Sequence, residues 1–346
     1  MAKLTITVIN YNSQGYIKRC LESILEQTFE DFEVIFIDNA SKEREDIKFM
    51  KDNYGAHAKI TIVENQNNRG YAHAANQGIE LALNRGSKYV SIVNPDIIFE
   101  PDYYEKVINK MDAFPEASSI TGKIYKYDFA NDTKTNIIDS TGLFAYKNRR
   151  IVDEGQGTID EGQFNQEKEV FGVSGACPVY RIEALEHVKI MDQYFDEDFF
   201  MYKEDTDLAW RFLLYGWKNL YIPDAIAHHG RGTGVYPRFS TREIIKNRKN
   251  LNKFQKQLSF RNQHIMQTKN EMWGNYIHHF FPILTRKILT PIYMTFFEPY
   301  LWKSYLQYLN TLPNTYKKRK IIMANKALTP KEMRKWFKST SKRKAS

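Results

Sequence analysis

Three groups of side chains in this chain are of types and at spacings that do chemistry. The first is Asn94-Pro95-Asp96, which directly follows Val90, Ile92 and Val93, a run that reads as a buried strand over 88–93. Pro95 has no N–H to give the ladder and keeps Asn94 out of helical angles. Asp96 therefore falls at the carboxyl end of a strand, where open α/β sheets hold their ligands. There it can meet a ligand, or simply cap the helix that Pro101 begins. The second group is the acidic stretch 196–207, in which Glu204, Asp205 and Asp207 crowd the start of a helix whose apolar residues recur over 208–215. Unpaired N–H groups and the helix dipole stabilise negative charge there. Capping needs only one carboxylate, so three beside an aromatic stretch favour a functional cluster. The third is His228-His229, followed by Arg231-Gly232-Thr233-Gly234. At strand spacing only one of two adjacent histidines can point inward, and that one is a candidate metal or phosphate contact.

The elements that must position these groups come from periodicity. Alternating or continuous apolar runs predict strands over 3–10, 32–38 (ending in Asp38), 59–63 and 88–93, and helices fall between them. The helix over 71–84 follows the polar loop 65–70, which closes in Gly70. This strand–helix alternation implies right-handed crossovers and a mostly parallel sheet. Further on, the pattern predicts a strand over 118–125, a hairpin over 137–151 turning at Thr141-Gly142, and a Gly- and acid-rich surface loop over 153–169. A short helix over 182–188 and two strands, 219–222 and 225–229, complete it. From Arg242 the chain becomes helical, basic and aromatic, its most apolar part interrupted by Pro282, Pro291 and Pro299. Thr329-Pro330-Lys331-Glu332 reads as a capped helix start.

Composition narrows the class. The 346 residues are 42% hydrophobic and 14% aromatic, a globular composition. Two cysteines make no disulfide framework, which points to a reducing compartment. The first residues enter a strand directly, so no signal peptide is expected, and no apolar run is long enough to span a membrane. Of the 50 Lys and Arg, twelve lie from Tyr316 onward with a single acidic residue. That leaves 38 basic against 40 acidic residues before it. A near-neutral body with a basic tail argues against nucleic acid as a partner and for a docking device. Neither GxGxxG nor GxxxxGK[ST] is present, which argues against dinucleotide and P-loop chemistry.

VINYN at 8–12, FIDNAS at 36–41, NNRGYAHAANQGI at 67–79, VNPD at 93–96 and FFMYKEDTDLAWR at 199–211 together resemble a family-two glycosyltransferase with the GT-A fold. The likeness is greatest to the rhamnosyltransferase-type members that build bacterial cell-surface polysaccharides. It covers about residues 4–235 and implies a GT-A catalytic domain over 1–240. Residues 1–100 would bind the nucleotide-sugar, and 101–240 would hold the acceptor and the base. The resemblance implies that Asp38 and Asn12 line the pocket for a uracil or thymine ring. Arg69, Gly70 and Asn76 would lie near the donor. Asn94 and Asp96 stand in the place of the family's DxD motif, with Asn94 replacing the first Asp. The divalent cation, Mg2+ or Mn2+, would be held by Asp96, the diphosphate and His229. Glu204-Asp205 resembles the family's ED motif, with Asp205 as general base in an inverting displacement.

The resemblance also implies a dTDP- or UDP-linked donor, with dTDP-rhamnose favoured. The saccharide acceptor would be carried on a polyprenyl diphosphate, and the enzyme would sit in the cytoplasm on the inner face of the cell membrane. The helical, aromatic region 241–315 and a basic amphipathic tail 316–346 would supply the contact with an anionic surface. Alternatives are another nucleotide-sugar donor (a UDP-hexose or UDP-N-acetylhexosamine), a nucleotidyltransferase, and a non-catalytic carbohydrate-binding or scaffold protein.

Overall fold

The computed structural model describes residues 1–13, 15–230 and 251–339. The loop at 231–234, the expected boundary at 240 and the last residues of the tail lie outside them. Strands β1 (Leu4–Asn10), β2 (Phe32–Asp38), β3 (Ile60–Glu64) and β4 (Tyr89–Val93) pair in parallel in the order β3-β2-β1-β4. Helices α1 (Ile17–Leu25), α2 (Glu45–Tyr54) and α3 (Tyr71–Asn84) make the crossovers. Every residue of β1 and β4 is buried, as strands covered on both faces must be. The register sets Asn10 opposite Asp38 and Val8 opposite Val93, so Asn10, Asp38 and Asn94 leave the sheet along one edge.

The chain continues through β5 (Ile97–Phe99), α4 (Tyr103–Ala113), β6 (Ala117–Asp128) and β7 (Thr133–Ser140). Then come β8 (Leu143–Tyr146), β9 (Ile151–Asp153), β10 (Lys168–Val170), β11 (Val179–Arg181) and α5 (Ile182–His187). α6 (Glu204–Leu214) and β12 (Lys218–His229) end this part. The large sheet runs β10-β12-β6-β11-β4-β1-β2-β3, with β5 on β12 and β7 on β6. β11 is antiparallel to both β4 and β6, while the central β3-β2-β1-β4 strands are parallel as expected.

Two local expectations change. The hairpin is β8–β9, turning at 147–150, and not a pair about Thr141-Gly142. At Gly142 (φ 100°) the chain leaves the large sheet for a small one, and a Cβ there would lie 3.0 Å from Val170 Cγ1. The two strands expected at 219–229 are one strand, because the break at Pro223 is absorbed as an irregularity between Ile222 and Ile226. The 153–169 segment is tied down: Phe164 is buried and Asp160 pairs with the buried Lys123 at 2.7 Å.

Helices Lys253–Asn270, Trp273–His278, Phe280–Phe297, Leu301–Asn325 and Pro330–Arg334 complete the fold. The helix Phe280–Phe297 passes through Pro291 without stopping, since on a solvent-facing helix water can satisfy the carbonyl that proline leaves unpaired. No helix among the described residues is long and apolar enough to cross a membrane. The apolar face of the tail that was expected to meet a membrane is packed inside the protein. Ile322, Met333 and Phe337 are buried in the cluster that contains Phe171, Trp210 and Phe212. β13 (Phe337–Lys338) pairs with β8. The capping box at Thr329 and Glu332 is present, but the face it presents is spent on the protein core, where burial of that apolar area is already realised.

A buried ionic network bolts the helices to the sheet domain. Lys269 pairs with Asp196 and, at 2.9 Å, with Asp207. Lys318 reaches Asp196 at 2.5 Å, and Arg211 reaches Asp207 at 3.1 Å. Asp207 thus serves this network, with both oxygens engaged, and is not part of an open acidic cluster.

Candidate active site

Two charged centres lie near the carboxyl end of β4, linked through one short peptide. The first is built on Asp96. Gly230 N donates to the Asp96 carbonyl at 2.9 Å, and His229 stands opposite Ile97 in the β5–β12 register. That places His229 Nε2 3.3 Å from Asp96 Oδ1. The other ring nitrogen, Nδ1, lies 2.8 Å from Asp139 Oδ2, which reaches over from β7. His228 points to the opposite side, onto Glu100 at 2.8 Å, so the strand alternation selects His229 as the inward histidine. Burial would raise the Asp96 carboxyl, but the adjacent His229 brings it below the ordinary value. Burial opposes charge on His229 as well, yet Asp96 and Asp139 together push the imidazole up to about 10.

The second centre is Glu204-Asp205 at the first turn of α6. Asp205 is only partly buried; its Oδ2 accepts from Gly175 N at 3.1 Å and its Oδ1 from Thr206 N at 2.6 Å. Glu204 is buried, and its Oε2 has no hydrogen-bond partner among the described residues. Burial raises the Asp205 carboxyl, with Lys203 opposing. Burial and the neighbouring Asp205 push Glu204 up to about 8.

A short peptide joins the centres. Gly175 donates to Asp205, and the next residue, Ala176, accepts from Asn94 N at 2.9 Å. The Tyr71 hydroxyl donates to the Gly175 carbonyl at 3.1 Å. Its phenol is raised well above the ordinary value by burial and by Glu204, Asp205 and Asp96, as expected of a group between both centres. Tyr71, Gly175 and Asp139 were not singled out from the sequence. Tyr71 lies within the 67–79 motif; Gly175 lies in none of the motifs, and Asp139 carries no local signal, because only the β7–β6–β12 pairing brings it to His229.

On the β1–β2 side, Asp38 is fully buried. Its Oδ1 accepts from Asn10 Nδ2 at 2.9 Å, and its Oδ2 accepts from Ser41 N at 3.1 Å with the half-exposed Arg44 at 3.4 Å. Asn12, in left-handed backbone (φ 50°), accepts from Lys42 N at 2.9 Å and shapes the same mouth. Gly70 (φ 98°) starts α3, where a Cβ would lie 2.5 Å from the Phe200 carbonyl oxygen. Arg69 is exposed and reaches Glu197 at 3.3 Å. Asn76 is turned away from the open edge. It is buried, with Oδ1 accepting from Phe195 N at 2.7 Å and Nδ2 donating to Phe195 O at 2.8 Å, so it braces a loop.

Comparison with known proteins bears on this geometry. A family model described as Glycosyl transferase family 2 matches residues 5–189. Glycosyltransferase GlyG of Streptococcus pneumoniae is 29% identical over 129 residues, which are 36% of this chain and 40% of that protein. N-acetylglucosaminyl-diphospho-decaprenol L-rhamnosyltransferase of Mycobacterium tuberculosis is 24% identical over 253 residues, 68% of this chain and 78% of that protein. The match to GlyG thus spans well under half of that relative's length. The crystal structure of GalNAc-T7 with UDP, GalNAc and Mn2+ superposes with a TM-score of 0.54 at 11% identity, over 85% of this chain and 58% of that one. The architecture is that of the GT-A fold.

Proposed function

The chain belongs to glycosyl transferase family 2, and on that premise we propose that it moves L-rhamnose from dTDP-rhamnose, with inversion, onto a saccharide carried by a polyprenyl diphosphate. The observation that carries the transferase reading is the link from Asn94 through Ala176 and Gly175 to Asp205. It joins a group suited to a donor diphosphate to a group suited to an acceptor hydroxyl. The rhamnosyl and lipid-linked parts are supported by the mycobacterial relative, an N-acetylglucosaminyl-diphospho-decaprenol L-rhamnosyltransferase.

Asp205 is the general base. It is the more accessible of the two carboxylates, and it takes the acceptor proton as the hydroxyl oxygen bonds the anomeric carbon and the bond to the diphosphate breaks. One displacement inverts the centre; a retaining scheme would need a second carboxylate as nucleophile. Glu204 is too buried for that and, near neutral pH, mostly protonated. Asp38 and Asn12 bound the nucleobase pocket, with Arg44 displaced from Asp38 by the base; Arg69 and Gly70 form the rim of the donor site.

The residues present fit a divalent cation on condition that His229, held protonated between Asp96 and Asp139, releases its Nε2 proton on binding it. Asp96 Oδ1 and His229 Nε2 converge, and no third His, Cys, Asp or Glu joins them among the described residues. Such a pair leaves room for diphosphate oxygens and water, as hard divalent ions prefer. When bound, the cation offsets charge on the departing nucleoside diphosphate.

Contact with an anionic membrane surface is part of the proposal, with the aromatic helical region supplying the exposed apolar face. Phe281 (79% exposed), Phe296 (75%), Phe297, Trp273, Ile277 and Leu289 stand in solvent. The segment around them, 273–309, carries Arg286, Lys287 and Lys303 against the single acid Glu298, which is buried. Exposed aromatic and aliphatic side chains interspersed with basic ones suit the headgroup layer.

The test is release of nucleoside diphosphate from dTDP-rhamnose, UDP-glucose, UDP-galactose, UDP-N-acetylglucosamine and GDP-mannose, with a lipid-linked acceptor, with divalent metal and after chelation. Selective, chelator-sensitive use of dTDP-rhamnose is expected. Selective use of a UDP-sugar overturns the choice of sugar alone, and no turnover of any donor overturns the enzyme reading.

A further inference from the structure

The segment that delivers Glu204-Asp205 is strained, and one distant side chain holds it. Phe200 (φ 62°, ψ −63°), Tyr202 (φ 70°) and Lys203 (φ 74°) all have left-handed backbone within four residues. Such conformations cost bulky L-residues roughly 1–3 kcal/mol each and persist only when their surroundings impose them. At Phe200 the chain makes a γ-turn of the rarer, strained hand, closed by Met201 N donating to the Phe199 carbonyl at 2.7 Å.

The imposing group is Asn262, on the helix Lys253–Asn270 and fully buried. Its Nδ2, whose two hydrogens are shared among three acceptors, lies 2.8 Å from the Phe199 carbonyl, 2.9 Å from that of Met201 and 2.8 Å from that of Tyr202. Arg261 Nε orients this amide through Asn262 Oδ1 at 3.0 Å, and Arg261 Nη2 holds the carbonyl of Asp198 at 2.6 Å. The one carbonyl in the turn that faces away, that of Phe200, accepts from Ala72 N at 3.1 Å, in the first turn of α3. The turn is therefore pinned on one side to the helix that begins at Gly70 and on the other to Asn262, and its next residues are Glu204 and Asp205.

We propose that Asn262 is a positioning residue for the transfer reaction, fixing the strained 199–203 turn so that Asp205 is held against the donor side of the site. This rests on the transferase reading above for its kinetic arm only. It gives the C-terminal helices a part in the active site as well as in the core, because the helix holds the turn that carries Asp205.

The experiment uses the full chain as parent, Asn262→Ala, Asn262→Ser and, as a control, Asp205→Asn. Trypsin cleavage after Lys203, followed by mass spectrometry, reads the turn directly. In Asn262→Ala it should quicken by about tenfold or more relative to cleavage elsewhere, because a local opening is made easier. Asn262→Ser keeps one donor and should fall between; it carries the test if the alanine variant does not fold. Asp205→Asn should stay as resistant as the parent. In the kinetic arm, kcat at saturating substrates should fall about 10- to 100-fold in Asn262→Ala. Calorimetric affinity for the nucleoside diphosphate should stay within about twofold, since Asp38 and Asp96 are untouched. A parent without transferase activity, combined with faster cleavage at Lys203 in the variants, sinks the transferase reading but leaves the clamp. Parent-like cleavage at Lys203, or unchanged kcat in folded variants of an active parent, overturns the role of Asn262.

Discussion

Which carboxylate of the Glu204-Asp205 pair is the base can be decided by neutralising them one at a time. Glu204 is pushed up to about 8 by burial and by Asp205, so at pH 7 its acid form prevails. Glu204→Gln therefore replaces a group that is already mostly neutral, and kcat at pH 7 should fall by no more than about threefold. Asp205→Asn removes the accessible base and should cost about 10²–10⁴ in kcat with nucleotide affinity intact. Stability separates the two as well. A carboxyl whose native pKa lies above its unfolded value of 4.5 favours folding below that value, and the benefit drains away as pH rises toward 8. The full shift corresponds to at most about 5 kcal/mol. Glu204→Gln should therefore raise Tm relative to the parent by more at pH 8 than at pH 5. The assay is kcat and thermal melting for the three proteins across pH 5–9. Loss of turnover in Glu204→Gln equal to that in Asp205→Asn would assign the base to Glu204 and refute the division of labour drawn from burial.

Other expectations concern the scaffold and the surface. Lys269→Met leaves Asp196 and Asp207 buried with fewer partners and should cost about 3 kcal/mol, or roughly 4 °C in Tm for a chain of this length; an unchanged melt would mean that Lys318, Arg211 and Asn270 suffice. Phe337→Ala empties a site packed against Phe171 and Trp210 and should cost about 3–5 kcal/mol, whereas a free tail would show no change by calorimetry. The double change Phe281→Ser and Phe296→Ser should lower co-sedimentation with phosphatidylglycerol vesicles about fivefold or more while leaving Tm unaltered; unaltered sedimentation would move the contact elsewhere.

The sheet half of the molecule was largely readable in order. Strand edges such as 32–38 and the helix over 71–84 coincide with the observed elements, because buried parallel strands and crossover helices carry strong local periodicity. The places of Asp38, Asp96, Asp205 and His229 followed from the same local rules: a strand end, a helix start and the alternation of a strand. What the sequence alone could not supply was everything set by packing between distant segments. The apolar spacing of Met333 and Phe337 is the same whether that face meets lipid or protein, and only the tertiary structure buries it under Trp210. Asp207 reads like its acidic neighbours until Lys269 and Arg211 arrive from elsewhere in the fold. Asn76 faces a loop rather than the open edge because Phe195 offers both halves of its backbone to the amide. Asp139 and Asn262 have no local signature at all, since a hydrogen bond formed across the fold depends on where two distant segments meet and not on what precedes or follows either residue. Local chemistry thus determined which groups could react; long-range pairing decided which of them face one another, and which are spent holding the rest in place.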